Sequence, residues 1–315
     1  MESKKKVILD VDTGVDDALA IILAAKAPQL DLLAVTAVAG NVELEKTIVN
    51  SLRAIEYAER PDVPVAAGCA GPLVGELRTA PYAHGHNGLN DVDFPEPSRR
   101  AEAADAVDLI VDLVRASPGE VTIVPTGPLS NVALALRKAP DLARSIREIV
   151  LMGGAAFCPG NVTPAAEFNI WVDPEAARIV FGSGIKVTMV GLDVTMKARL
   201  GEADLGRIAE LGRSPATRFI RELLAPSFER ARARGFPGGL AMHDPLTVAY
   251  VMDPSLLRVG GFHVDVETRG RLTEGMTVVD GRPWRPEGAP GPNAQVATEV
   301  DAGRFVELYV KTVTA

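Results

Sequence analysis

Apolar residues fall in short runs separated by helical or turn-forming stretches along most of the chain. Residues 7–9 and 32–39 are apolar and rich in β-branched side chains, and 18–27 between them has helical composition ended by Pro28. This is a strand–helix–strand unit. The same alternation predicts a helix over 43–59, a strand over 63–66, a helix over 103–116, a strand over 121–124, a helix from 129, and strands over 149–152 and 186–190. Short strands that are apolar on both faces and alternate with helices predict an α/β fold. Its sheet is mostly parallel, Rossmann-like, doubly wound and flanked by helices. Further on, the pattern is helical over 202–234, breaks at the glycines and prolines of RGFPGGLAMHDP, and resumes as a helix over 246–252. Strands over 259–267, 276–279 and 295–299 form an additional C-terminal strand region before a last helix from 301. DGRPWRPEGAPGPN reads as a loop rather than an interdomain linker, and no repeat or low-complexity block divides the chain. The expectation is a single domain over 1–315.

Composition adds limits. The 47% hydrophobic content over 315 residues is enough for a substantial core. A formal net charge of -8 disfavours nucleic acid or an anionic membrane surface as the main partner, since both favour a basic face. Cys69 and Cys158 have no metal-type spacing and read as free thiols of a reducing cytoplasm. The start MESKKKVILDVD lacks the apolar core and small-residue cleavage site of a signal peptide, and 149–166 carries too many glycines and prolines for a membrane helix. A soluble, cytoplasmic protein is expected.

The candidate chemistry starts at VILDVDTGVDDALA, which places Asp10, Asp12, Asp16 and Asp17 within eight positions. One reading is structural: Asp12 or Thr13 caps a helix whose first turn holds Asp16 and Asp17 against the helix dipole. The other is a cation site, because carboxylates about 4 Å apart repel by roughly 4 kcal/mol per pair at an effective dielectric of 20. All-oxygen donors favour a hard ion, Ca²⁺ first and Mg²⁺ second, and the carboxyl edge of an open α/β sheet is where ligands bind. Haloacid-dehalogenase-type phosphotransferases also place Asp-x-Asp after a first strand. Their pattern differs from Thr13-Gly14 and lacks the pair Asp16 and Asp17.

Other polar stretches follow predicted strands. AVAGN ends in Asn41, and VPTGPLSN carries a Gly-Pro turn that leaves the Thr126 carbonyl free over the sheet edge. A long segment without apolar periodicity holds Asn161, Glu167 and Asn169, and closes with Asp173-Pro174, an N-cap with Pro at the first helical position. In MHDP, Asp244 reads as a cap for the helix after Pro245. YAHGHNGLND, with His84 and His86, reads as a mobile lid rather than a zinc site.

DVDTGVDD, AVAGN, VPTGPLSN, LMGGA, GNVTPAAEFNIWVDPEAA and MHDP, in this order, resemble the inosine-uridine preferring nucleoside hydrolase family over nearly the whole chain. The resemblance implies calcium-dependent hydrolysis of the N-glycosidic bond of ribonucleosides to free base and ribose. It implies Ca²⁺ held by Asp12, Asp17, the Thr126 carbonyl and Asp244, with Asp12 as the base for a metal-bound water and Asp10 orienting the loop. It gives Asp16 and Asn41 to the lower ribose hydroxyls, Asn161 and Glu167 to the 5′ side, Asn169 to the ribose near the anomeric centre, and Met152 to the pocket wall. His243 matches a histidine that protonates the leaving base, and His84 a base-side histidine. Phe228 and Phe236 are candidates for a second base-side flap, and Arg230, Arg232 and Arg234 face base or solvent. The family usually has Pro where this chain has Thr13, so the loop is expected to be less preorganised with no ligand lost. The resemblance also implies nucleoside salvage and a homodimer or homotetramer. A non-catalytic nucleoside or ribose binding protein is the alternative from another class.

Overall fold

The structure, a computed structural model, describes residues 3–315 apart from 234, 236 and 237. Its strands, in chain order, are β1 (Lys5–Val11), β2 (Leu30–Ala37), β3 (Val65–Ala67), β4 (Val121–Pro125), β5 (Glu148–Met152), β6 (Val187–Val190), β7 (Arg199–Leu200), β8 (Leu240–Ala241), β9 (Leu257–Phe262), β10 (Val264–Val266), β11 (Thr277–Val279) and β12 (Ala294–Val300). The helices are α1 (Val15–Lys26), α2 (Leu44–Tyr57), α3 (Pro81–His84), α4 (Ala106–Ala116), α5 (Ser130–Lys138), α6 (Phe168–Val172), α7 (Pro174–Phe181), α8 (Leu192–Thr195), α9 (Glu202–Leu211), α10 (Pro215–Ala233), α11 (His243–Met252) and α12 (Ala302–Thr314). Eight strands form one sheet in the order β3-β2-β1-β4-β5-β6-β12-β9. Every neighbouring pair in it is parallel except β12 with β9.

Strand β1 shows why the sheet is buried on both faces. Side chains alternate, so Ile8 joins the core formed with α4, α5 and α7, while Val7, Leu9 and Val11 join that formed with α1, α2, α10, α11 and α12. Each such apolar side chain contributes about 1.5–3 kcal/mol on burial. Successive crossovers lead from β1 to β2 on one side and later to β4 on the other. The carboxyl ends of β1 and β4 thus meet at a topological switch point, where open α/β sheets leave a crevice.

Several elements differ from their expected form. Helix α1 is capped by Gly14, not by Asp12 or Thr13; the Gly14 N–H is taken instead by Asp17 Oδ2 at 3.0 Å. Helix α11 begins at His243, which puts Asp244 inside its first turn rather than at its cap, and Pro245 there lacks only an N–H that no helical carbonyl would accept. The helical stretch 202–234 is two helices: Gly212 ends α9 where a Cβ would sit 2.2 Å from Thr217 Cγ2. The strand over 259–267 divides at His263, because β9 pairs with β12 in the main sheet while β10 pairs with β11 in a separate hairpin. Asp173 does cap α7, accepting from Ala176 N at 3.0 Å, and Pro174 follows it. Among the described residues no helix is long and apolar enough to cross a membrane.

Candidate active site

Four carboxylates are buried or nearly so around the switch point, each held differently. Asp10 accepts from Thr36 Oγ1 at 2.5 Å and Asn131 Nδ2 at 2.8 Å, tying β1 to β2 and α5, and burial pushes its carboxyl up to about 7. Asp12 accepts the Asn41 N–H at 2.7 Å through Oδ2, whereas its buried Oδ1 has no partner among the described residues. Burial, then the charge of Asp17, pushes the Asp12 carboxyl well above the usual carboxylate range. Glycines let the neighbouring turns close on it: a Cβ at Gly40 would sit 2.2 Å from Asp12 Oδ2, and one at Gly127 2.9 Å from Oδ1. The glycines of AVAGN and VPTGPLSN therefore serve close packing.

Asp17 accepts from Asn41 Nδ2 at 3.1 Å and from Thr126 Oγ1 at 2.8 Å, and burial brings its carboxyl up to about 6. Carboxylate oxygens of Asp16, Asp17 and Asp244 lie within 4.8 Å of one another. Burial, followed by the charge of Asp16, pushes Asp244 well up as well. The structure thus brings Asp17 and Asp244 together as expected, adds Asp16 to them, and places Asp12 against Asp17. The Thr126 carbonyl is not free: it accepts from Asn169 Nδ2 at 2.6 Å, which leaves its second lone pair. Buried, like-charged oxygen donors, with Asp12 Oδ1 unpartnered beside Asp17, fit a hard divalent cation and do not fit zinc.

Beside the carboxylates lies a pocket of about 370 Å³, whose lining includes Asp16, Asn41, Thr126, Met152, Asn161, Glu167, Asn169 and Asp244 together with His84 and His243. Asp12 and Asp17 lie outside its lining. Asn169 spends Nδ2 on Thr126 O and on Met152 O at 3.2 Å, leaving Oδ1 for a ligand. Glu167 caps α6, accepting from Gly154 N, Asn169 N and Ile170 N; these three N–H groups oppose the burial that raises its carboxyl. Asn161 Oδ1 accepts from Phe168 N at 3.0 Å, leaving its NH₂ as donor.

The two imidazoles of the lining are each held through Nδ1. The Val15 N–H can only donate, so His84 Nδ1, 3.1 Å away, accepts and the neutral ring carries its proton on Nε2. His243 Nδ1 lies 2.8 Å from Thr195 Oγ1 at the end of α8. Desolvation lowers the affinity of both rings for a second proton, partly offset by the charge of Asp16. Leu224 and Ser227 of α10 complete this wall, with the exposed Tyr82 at its rim. Phe228 is buried in the core instead of forming a flap. Arg230 bonds Asn90 and Ser227, Arg232 pairs with Glu202 in solvent, and Phe236 and Arg234 lie outside the described residues. The stretch 81–91 is tied down rather than loose: Asn90 Nδ2 donates to Leu223 O at 2.7 Å and Lys46 Nζ to His86 O at 2.8 Å. His86 is exposed and shares no metal-type cluster with His84 among the described residues.

Tyr82, Thr195, Leu224 and Ser227 were not legible as site residues. Leu224 and Ser227 carry the one usable signal, an i, i+3 spacing on one helix face.

A doubly wound sheet thus carries a carboxylate nest at its switch point, beside a pocket with two imidazoles. The chain belongs to the inosine-uridine preferring nucleoside hydrolase family, which it matches over residues 7–307. It is accordingly a hydrolase acting on N-glycosyl compounds. It is 46% identical over 307 residues to the pyrimidine-specific ribonucleoside hydrolase RihA of Salmonella gallinarum, covering 97% of each chain. Similar solved structures include the plant nucleoside hydrolase PpNRh1 (TM-score 0.91, 35% identity, 99% of each chain). Another is the purine-preferring ribonucleoside hydrolase from Gardnerella vaginalis (TM-score 0.91, 36% identity, 98% of each chain).

Proposed function

We propose that the chain cleaves pyrimidine ribonucleosides to base and ribose with a bound Ca²⁺, acting in nucleoside salvage in the cytoplasm as a single-domain homodimer or homotetramer. The observation that carries the reading is the unpartnered, buried Oδ1 of Asp12 beside Asp17, next to a pocket whose lining includes Asp16, Asp244 and two imidazoles. Family membership supports the reaction, and the RihA relatives, named pyrimidine-specific, support the base preference.

Asp12, Asp17, the Thr126 carbonyl and Asp244 would hold the cation, with Asp16 close enough to share it. When bound, such an ion supplies a more acidic water and an anchor for sugar hydroxyls. Asp12 accepts the proton of the water that attacks the anomeric carbon, through the buried Oδ1 that no group among the described residues occupies. The Asp16 carboxylate and Asn41 Oδ1 accept from the lower ribose hydroxyls, since the Asn41 NH₂ is spent on Asp12 O and Asp17 Oδ2, and Glu167 and the Asn161 NH₂ hold the 5′ side. Asn169 Oδ1 faces the sugar near the anomeric centre, where an oxygen dipole favours the positive charge of an oxocarbenium-like transition state. Met152 packs on the ribose.

His243 acts as an imidazolium, giving one ring proton to the departing base and returning to the neutral ring. Desolvation makes that cation a stronger acid, and the charge of Asp16 helps it form. His84 donates from Nε2 to an acceptor on the base. Incubation with cytidine, uridine, inosine and adenosine, with Ca²⁺ or with EDTA, followed by a reducing-sugar assay, tests the reading. Ribose release from the pyrimidine nucleosides in Ca²⁺ is expected. Binding without release would instead point to a nucleoside-binding protein, and faster release from inosine would reverse the base preference.

A further inference from the structure

Thr13 sits between Asp12 and the helix cap Gly14, is fully buried, and lines no part of the pocket. Its Oγ1 lies 2.6 Å from Ser51 Oγ on α2, and Ser51 Oγ donates to Thr47 O, one turn back, at 2.7 Å. A hydroxyl has one proton, so Ser51, having given its own to Thr47, accepts from Thr13. The neighbouring residue on α2, Asn50, donates Nδ2 to the Thr13 carbonyl at 3.1 Å and to Asn87 O at 2.8 Å. Two consecutive residues of α2 thus grip Thr13 by side chain and by backbone.

The turn so gripped carries Asp12 on one side and, through the Gly14 N–H, is bonded to Asp17 on the other. Two like-charged carboxylates held this close in a buried site repel each other when no cation lies between them. A loose turn would relieve that repulsion by moving Asp12 away from Asp17, and would then have to be reordered on each binding event. A turn anchored to a packed helix cannot, so the ordering is complete before the ligand arrives.

We propose that Thr13 and Ser51 are positioning residues that hold the Asp12–Asp17 turn in its cation-binding arrangement and thereby set the divalent-cation affinity of this chain. The inference rests on the cation reading given above. It also revises the expectation that Thr13 loosens the turn, because the hydroxyl supplies an anchor to α2 in place of a rigid ring.

The test uses the full-length protein stripped with EDTA: wild type, Thr13→Val, Thr13→Ser, Ser51→Ala and the double variant Thr13→Val/Ser51→Ala. Each is titrated calorimetrically with Ca²⁺ and melted in EDTA and in Ca²⁺. Valine keeps the branched shape and removes only the hydroxyl; serine keeps the hydroxyl; Ser51→Ala keeps the experiment decisive should Thr13→Val not fold. Thr13→Val and Ser51→Ala are expected to bind Ca²⁺ about tenfold more weakly, Thr13→Ser within about twofold of wild type, and the double variant no more weakly than Thr13→Val alone. The melting point should fall further in Ca²⁺ than in EDTA, since the loss is in binding. Unchanged Ca²⁺ affinity with melting points lowered equally in both buffers overturns the inference and leaves the hydroxyls a packing role. Wild type that takes up no Ca²⁺ overturns the cation reading itself, and the inference with it.

Discussion

At the residue scale, Asp12 and His243 separate chemistry from folding. Asp12→Asn keeps the shape and the acceptor for the Asn41 N–H but removes the base and one of several mutually repelling charges. Turnover is expected to fall by about a thousandfold or more, while the EDTA-treated variant melts no lower than wild type; steady-state rates and a melting curve check both. His243→Ala should slow uridine cleavage by about a hundredfold or more yet barely affect a nitrophenyl riboside, whose leaving group needs no proton, so equal losses on the two substrates would remove the acid role. The acidic residues were readable because a run of like charges has no simple structural explanation once more than two converge. Thr195 was not, since a lone threonine carries no signal until α8 brings it to 2.8 Å from His243.

At the scale of elements, one buried carboxylate joins two helices and a loop. Asp173 caps α7 through Ala176 N, accepts from Ser130 Oγ of α5 at 2.6 Å and from Leu73 N at 2.8 Å, and is fully buried. Asp173→Ala leaves those donors without partners and should destabilise the protein by about 3 kcal/mol in urea denaturation, with Ca²⁺ affinity unchanged. The cap itself was legible from Asp173-Pro174, because capping is local chemistry. The fate of 259–267 was not. Its apolar residues fit a single strand, and only the competing partners β12 and β11 decide that the chain leaves one sheet for another at His263. Helix ends shifted for the same reason, as at α11, where packing against α1 rather than a side-chain cap fixes the start at His243.

For the whole molecule, the carboxylates make stability depend on pH in a direction set by burial. The Asp10 and Asp17 carboxyls are raised to about 7 and about 6 when no cation is present, so the folded state holds their protons more tightly than the unfolded chain, whose carboxylates titrate near 4. That contribution is complete below about pH 4 and is lost as pH rises through the folded values. The EDTA-treated protein is therefore expected to melt at progressively lower temperature from about pH 5 to about pH 7.5, and in a scanning-fluorimetry series saturating Ca²⁺ should flatten the trend, removing the share of Asp17 while leaving that of Asp10. The α/β architecture and the carboxyl-edge location of the site followed from the strand–helix alternation, because the switch-point rule needs only topology. The rear supports of the imidazoles needed coordinates.

The switch point also bears on how the protein comes to life. Its carboxylates and their partners are supplied by the end of β1, α1, the turn after β2, the end of β4, α6 and α11, so the nest draws on residues from Asp12 to Asp244. Such long sequence separations close late, after much chain entropy has been lost, and no early fragment contains a complete set of ligands. During refolding from urea, Ca²⁺ should leave the early phases unaltered and act only on the last one, so that cation capture marks the moment at which the sheet is finished.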